Sequence, residues 1–268
     1  MELSSEAREL FSQEMAAKFL ATVDPEGQPN VALIVTLQPP PDGRGDRLIF
    51  GEFLMWGSKK YLLSNHRVGM ACIDKKLRMV ALTGDFRGFE RTGAYKEAMD
   101  ASPLMRYNAY SGVRSAGVID VRKVGETRKA SFLSIPVDLA RLKLCGKRGL
   151  REGVELPRTV KEKFTMLTSI KVLAVMGVDG YPMVMPILPV AEKGRGLLLF
   201  KVADYNRELA EIEVPCAAAM ALVTMDAKSY KVKGELQSAG RGFYALRVDE
   251  VYNAMPPRVG ERIVPPEQ

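Results

Sequence analysis

Ser58, Lys59 and Lys60 place a hydroxyl and two ammonium groups in consecutive positions, and the residues that follow, Tyr61-Leu62-Leu63-Ser64-Asn65, read as a short helix. A helix start presents free backbone N–H groups and a partial positive charge, so this arrangement suits a phosphate. The same residues also describe an ordinary helix capped by Ser58 with two solvated lysines. Other chemistry is scarce. The three cysteines, Cys72, Cys145 and Cys216, are far apart, and His66 is the single histidine. That set matches neither a disulfide framework nor metal-ligand spacing, and it argues against a His-based nucleophilic triad. His66 reads as the end of the short helix, and most of the 14 methionines fall on inward-looking positions that suit packing.

The formal net charge of +7 raises the question of nucleic acid. The densest basic stretch, RLKLCGKRGLR (141–151), has no aromatic side chain to stack on bases and reads as an exposed connector. No recognised reading motif accompanies it, so a nucleic-acid partner is not expected. No apolar run approaches the ~20 residues needed to cross a bilayer, and the first residues, MELSSE, have neither a basic start nor an apolar signal core. A cytoplasmic location is the expectation.

The elements that would position Ser58 to Lys60 occur twice. FLATVDPEGQPNVALIV (19–35) and VLAVMGVDGYPMVMPIL (from 172) each run apolar strand, turn ending in glycine, one residue, proline, apolar strand. Each reads as a β-hairpin, with Gly27 and Gly180 closing the turns and Pro29 and Pro182 opening strands that need no amide donor there. A helix capped by Ser4 or Ser5, with Ala7, Leu10, Phe11, Met15 and Phe19 recurring at helical spacing along one face, precedes the first hairpin, and one from about Thr159 precedes the second. Third strands, RLIF (47–50) and LLLF (197–200), follow, then the short helix and two more strands containing Gly84 and Gly234. Only the first copy adds a helix near 93–101 and a strand near 118–124. The 268 residues thus divide into a first domain at 1–138, a basic linker at 139–158 and a second, diverged domain at 159–268. Many short antiparallel strands with few helices predict a mainly β fold of two small barrels.

The pieces FLATVDPEGQPNV, LIFGEF, SKKYLLSNHRVGMACI and RMVALTGDF, in this order over residues 10–90 and more weakly over 165–250, resemble the FMN-binding split β-barrels related to pyridoxamine 5′-phosphate oxidase. That family is homodimeric, with FMN in the groove between barrels. The resemblance implies a tandem duplication whose copies pair within the chain as a pseudo-dimer; the alternative is two tethered barrels that dimerise with other chains, and a homodimer of the tandem chain stays open. It implies that Ser58, Lys59 and Lys60 hold the FMN phosphate, that the backbone of Phe50, Gly51 and Glu52 meets the flavin edge, and that Trp56 either covers a ring or packs. Arg78 stands where the family often has a basic residue opening its strand. In the second copy Arg207 is the corresponding cation, but Asp204 and Glu208 oppose an anion, so that site is expected to be the weaker. Met79 and Ala81 replace the Gln and Arg of the oxidases, and the C-terminal Arg and His are missing, so vitamin B6 oxidation is not expected. The implied function is FMN-dependent oxidation or reduction of a small molecule, with no catalytic residue or metal identified. The alternatives are a deazaflavin-dependent reductase, or a non-catalytic flavin- or haem-binding protein, sensor or scaffold. The loops 39–45 and 88–110, which would shape a substrate site, carry no diagnostic motif.

Overall fold

The computed structural model describes residues 1–103, 112–146 and 149–264; residues 104–110, within the loop 88–110, lie outside them. The first copy contains α1 (Ser5–Ser12), β1 (Ala17–Val23), β2 (Pro29–Leu33), β3 (Arg47–Gly51), α2 (Trp56–Ser64), β4 (Arg67–Ile73), β5 (Arg78–Glu90), α3 (Ala94–Asp100), β6 (Ala116–Val124) and β7 (Arg128–Lys129). After α4 (Ser134–Leu144), the second contains α5 (Arg158–Thr165), β8 (Ile170–Met176), β9 (Pro182–Pro186), β10 (Ala191–Glu192), β11 (Leu197–Lys201), a 3₁₀ helix (Asp204–Glu211), β12 (Cys216–Val223), β13 (Ser229–Gly240), β14 (Phe243–Asn253) and β15 (Arg262–Val264). One antiparallel sheet runs β2-β1-β4-β5-β6-β3, and the other runs β11-β14-β13-β12-β8-β9 with β10 beyond β11. The two orders are the same path read in opposite directions, and the chain is two tandem split-barrel domains.

Both hairpins form as the turn residues dictate. Gly27 (φ 77°) donates its N–H to the Asp24 carbonyl at 3.0 Å, and Gly180 (φ 74°) donates to the Gly177 carbonyl at the same distance. Pro29 pairs with Val23, and Pro182 with Met176, so the registers of the two hairpins coincide. This fixes residue equivalences between the copies. Ala21 faces Gly69, which faces Thr83; Ala174 faces Ala219, which faces Lys233.

β1 is buried along its whole length because both of its faces have a core to cover. Leu20 points into its own barrel with Val68, Met70 and Cys72, whereas Phe19 and Ala21 join Ala71, Val172, Ala174, Val184, Ala219 and Ala221 in a cluster drawn from both copies. The halves therefore pair within one chain. Alanine is the commonest residue of this seam, and Gly69 lets the strands approach closely: a Cβ there would stand 2.0 Å from the Pro182 carbonyl oxygen. Polar clasps flank the seam. Tyr181 donates its hydroxyl to Asp85 Oδ1 at 2.8 Å, and Arg128 reaches Glu208 at 2.6 Å.

α4 crosses position 138, where the sequence reading ends the first domain. Its Ile135 belongs to the seam cluster, while Leu142 packs with Ala191, Leu197, Leu199 and Ala245 of the second copy. Its Asp138 accepts a hydrogen bond from Lys201 at 2.7 Å. The front of the basic 139–158 stretch is thus a docked helix. Among the described residues, no helix is long and apolar enough to cross a membrane.

Candidate functional site

α2 starts earlier than the sequence suggests. Leu54 turns the chain with a positive φ of 46°, buried Met55 becomes the N-cap residue, and the Met55 carbonyl accepts from the Lys59 N–H at 2.8 Å. Ser58 is therefore not the cap; it lies in the first turn, where backbone N–H groups still lack intrahelical acceptors. It is buried, and its Oγ accepts from Asn30 Nδ2 at 3.4 Å.

The two lysines behind it part company. Lys59 donates to Glu52 Oε1 at 2.5 Å and sits over the Phe89 ring at 5.3 Å, and Ser115 also donates to Glu52 Oε2 at 2.5 Å. Burial opposes the Glu52 charge, but the Lys59 and Ser115 hydrogen bonds outweigh it and hold the carboxyl below the usual carboxylate range. Lys60 is exposed. Trp56 lies 56% exposed, with the Arg114 guanidinium 4.4 Å from its ring, and the two border a small depression with Glu52, Met55 and Lys59.

The remaining sequence-predicted residues are distributed around this helix. Phe50 is fully buried in an aromatic group with Phe86 and Phe89, at centroid distances of 6.3 and 6.2 Å. The Gly51 N–H donates to Thr36 Oγ1 at 3.0 Å, and a Cβ there would press on Val113. Arg78 binds Asp74 and Glu9, each at 2.8 Å. Arg207 pairs with Glu126 of the first copy at 2.9 Å. The structure thus brings Glu52, Trp56 and Lys59 together, places Ser58 in the groove toward the second copy, and sets Arg207 at the opposite, pseudo-equivalent groove.

Groove one lies between α2 and β13, and its cations come from the second copy. Lys231 donates to Asn30 Oδ1 at 2.6 Å and lies 4.8 Å from the Tyr252 ring centroid; Lys233 reaches Asp24 Oδ2 at 3.1 Å and sits over Tyr61 at 5.6 Å. Asn30, itself 1% exposed, also donates to Thr22 Oγ1 at 3.1 Å, so it ties the lysine to Ser58 through one amide. Burial, reinforced by the neighbouring Lys233 charge, pushes the Lys231 ammonium down to about 8, while Glu250 pulls the other way. Sequence reasoning passed over these two lysines. The available signal was the alternation Lys231-Val232-Lys233, which puts both on one face of a strand.

Groove two lies between the 3₁₀ helix and β5. There the registers put Ala81 and Thr83 where groove one has Lys231 and Lys233, Met183 in place of Asn30, and Gly125 in place of Tyr252. The spacing from Phe50 to Gly69 equals that from Phe200 to Ala219, which sets Glu208 and Glu211 against Ser58 and Tyr61. Ala81, Thr83 and Gly125 in place of Lys231, Lys233 and Tyr252 leave a cavity of about 300 Å³. Among the described residues, no group of three or more His, Cys, Asp or Glu side chains is placed to hold a metal ion.

No protein-family model matches the chain, and no curated protein does. Solved structures do. An FMN-binding protein from Syntrophomonas wolfei is 18% identical over 47% of this chain and 85% of its own, with a TM-score of 0.39. HupZ from Group A Streptococcus is 20% identical over 48% and 99%, with a TM-score of 0.38. An F420 reductase is 17% identical over 46% and 98%, with a TM-score of 0.37. Each of these structures matches about half of this chain, the length of one copy.

Proposed function

We propose that the chain binds a flavin through its phosphate in groove one, that the flavin is FMN, and that the protein is an FMN-dependent oxidoreductase acting on a small molecule. The observation that carries this reading is the pair Lys231 and Lys233, set beside the Ser58 end of α2. Two ammonium groups share that groove with the Asp24 carboxylate, and the Lys231 charge is disfavoured by burial and by its neighbour. A phosphate dianion relieves both effects. The donor set fits such a group: two ammonium groups, the Ser58 hydroxyl, the Asn30 amide and the first-turn amides of α2.

FMN, when bound, supplies hydride and single-electron chemistry. The chain's own part is to hold and orient. Lys231 and Lys233 neutralise the phosphate, Asn30 keeps Lys231 aimed at Ser58, and Glu52 fixes Lys59 so that α2 keeps its position. No side chain at the groove is assigned as a catalytic acid or base.

The test is titration of the full-length protein with FMN and with riboflavin, followed by visible absorbance and flavin fluorescence. FMN is expected to bind at least tenfold more tightly than riboflavin. Lys231→Ala with Lys233→Ala is expected to remove that advantage, and Lys59→Ala, whose charge is committed to Glu52, to leave most of it. Equal affinity for the two flavins, or no binding, overturns the reading. Preference for a phosphate-bearing deazaflavin over FMN would keep the groove and change the cofactor.

A further inference from the structure

Groove two occupies the same place in the pseudo-dimer as groove one but has the opposite chemistry. Met79, Ala81, Met183, Met185 and Pro186 give it an apolar lining, and Glu126, Asp179, Glu208 and Glu211 stand at it against Lys123 and Arg128. Arg128 is already committed, at 2.6 Å to Glu208 and 3.4 Å to Glu126. Arg207 at the same groove pairs with Glu126 at 2.9 Å, so four acids meet three cations and the single negative charge left over disfavours a phosphate. One polar group is unsatisfied: Thr83, 9% exposed, lines the cavity, and its Oγ1, closed off from solvent in this rotamer, has no hydrogen-bond partner. Buried hydroxyls are normally paired, and leaving one unpaired costs stability. A cavity of about 300 Å³ is at the lower end of the range for small-molecule sites.

We infer that groove two is a separate ligand site for an uncharged, flat ring compound without phosphate, which packs between Met79, Ala81 and the β9 side chains and pairs with Thr83 Oγ1 once that side chain turns about χ1 toward the cavity. The site does not depend on flavin binding in groove one. Its acids make it selective against anions, and its small residues make it selective for thickness.

Lumiflavin is the probe, because it is an uncharged tricyclic ring that differs from FMN by lacking the phosphate-bearing chain. Its binding to the full-length protein is measured by fluorescence titration and equilibrium dialysis, in the wild type and with Lys231→Ala plus Lys233→Ala. Saturable binding to the double variant is expected, with affinity within twofold of wild type, and excess FMN should not displace it there. Ala81→Trp should weaken it at least tenfold by filling the cavity. Thr83→Val, which preserves shape, should weaken it severalfold while leaving the thermal midpoint of the free protein unchanged or higher. Lumiflavin that does not bind, that is lost with the two lysines, or that is indifferent to both Ala81→Trp and Thr83→Val overturns the inference. So does displacement by FMN in the double variant. Loss of FMN binding with lumiflavin binding intact would instead count only against the flavin reading of groove one.

Discussion

Lys59 and Lys231 flank the same helix, and only their surroundings separate their roles. The run Ser58-Lys59-Lys60 is legible as a cationic helix start, but the sequence does not reveal that Glu52 takes up Lys59, because that pair depends on where β3 ends relative to α2. Nor does it reveal Lys231, which reaches Asn30 only when the copies dock. A third lysine offers a direct measurement. Lys171 is fully buried on β8 and donates to the carbonyls of Met166 and Ser169 and to Ser169 Oγ at 2.7, 3.0 and 2.8 Å. Its counterpart Lys18 is 2% exposed at the matching hairpin position. Burial pushes Lys171 down to about 7, below its unfolded value of 10.5. Between those values the unfolded chain binds more protons than the folded one, so stability rises with pH. The rise should be visible from about pH 7 to 8.5, before the buried Cys72 thiol, raised to about 12, begins to favour the unfolded state. Urea denaturation across this range checks it, and Lys171→Met should flatten the slope by at least ~1 kcal/mol over the interval.

At the scale of elements, the hairpins were the most legible part of the chain. Their turns are local: glycine with positive φ and proline at a strand start declare themselves without reference to the rest of the molecule. The start of α2 was less legible, since it depends on Leu54 adopting a left-handed conformation that leucine rarely takes and on Met55 finding the core. Gly69 carried no visible signal either, although the seam depends on it. Its counterpart in the second copy is Ala219, so a methyl group is tolerated on one side and excluded on the other. Gly69→Ala must push β9 away or bend β4, and is expected to cost about 1–3 kcal/mol as an overpacked site. Ala219→Gly is expected to cost roughly 1 kcal/mol, from chain entropy and a lost methyl contact. Chemical denaturation of the two variants compares them, and a smaller loss for Gly69→Ala than for Ala219→Gly would contradict the close approach at Pro182.

At the scale of the molecule, the divergence of the second copy that the sequence predicts takes the form of complementarity between the two. Asn30 and Asp24 of the first meet Lys231 and Lys233 of the second, and Glu126 of the first meets Arg207 of the second. If two second copies paired with each other, each Lys231 would face Met183 and each Lys233 would face Gly177, with no acceptor side chain at either. The halves, expressed as separate chains cut between 146 and 149, should therefore assemble one to one in preference to either pairing with itself. Native mass spectrometry of the mixture reads the result; self-paired species in equal or greater amount would show that the apolar seam alone decides the pairing.

Gly69 facing Pro182 across the seam, while Ala219 holds the equivalent place opposite β2, has an evolutionary consequence. In a protein made of two identical chains every substitution is written twice, so a change that improves one groove is imposed on the other. Joining the copies in one chain removes that coupling. Each position near the pseudo-axis then evolves singly, and selection can favour a cation on one side without tolerating it on the other. Residues that touch their own counterparts gain this freedom most, because a clash between twins is resolved by changing one of them. The seam should accordingly accumulate unlike pairs faster than the barrel interiors, where each copy answers only to itself.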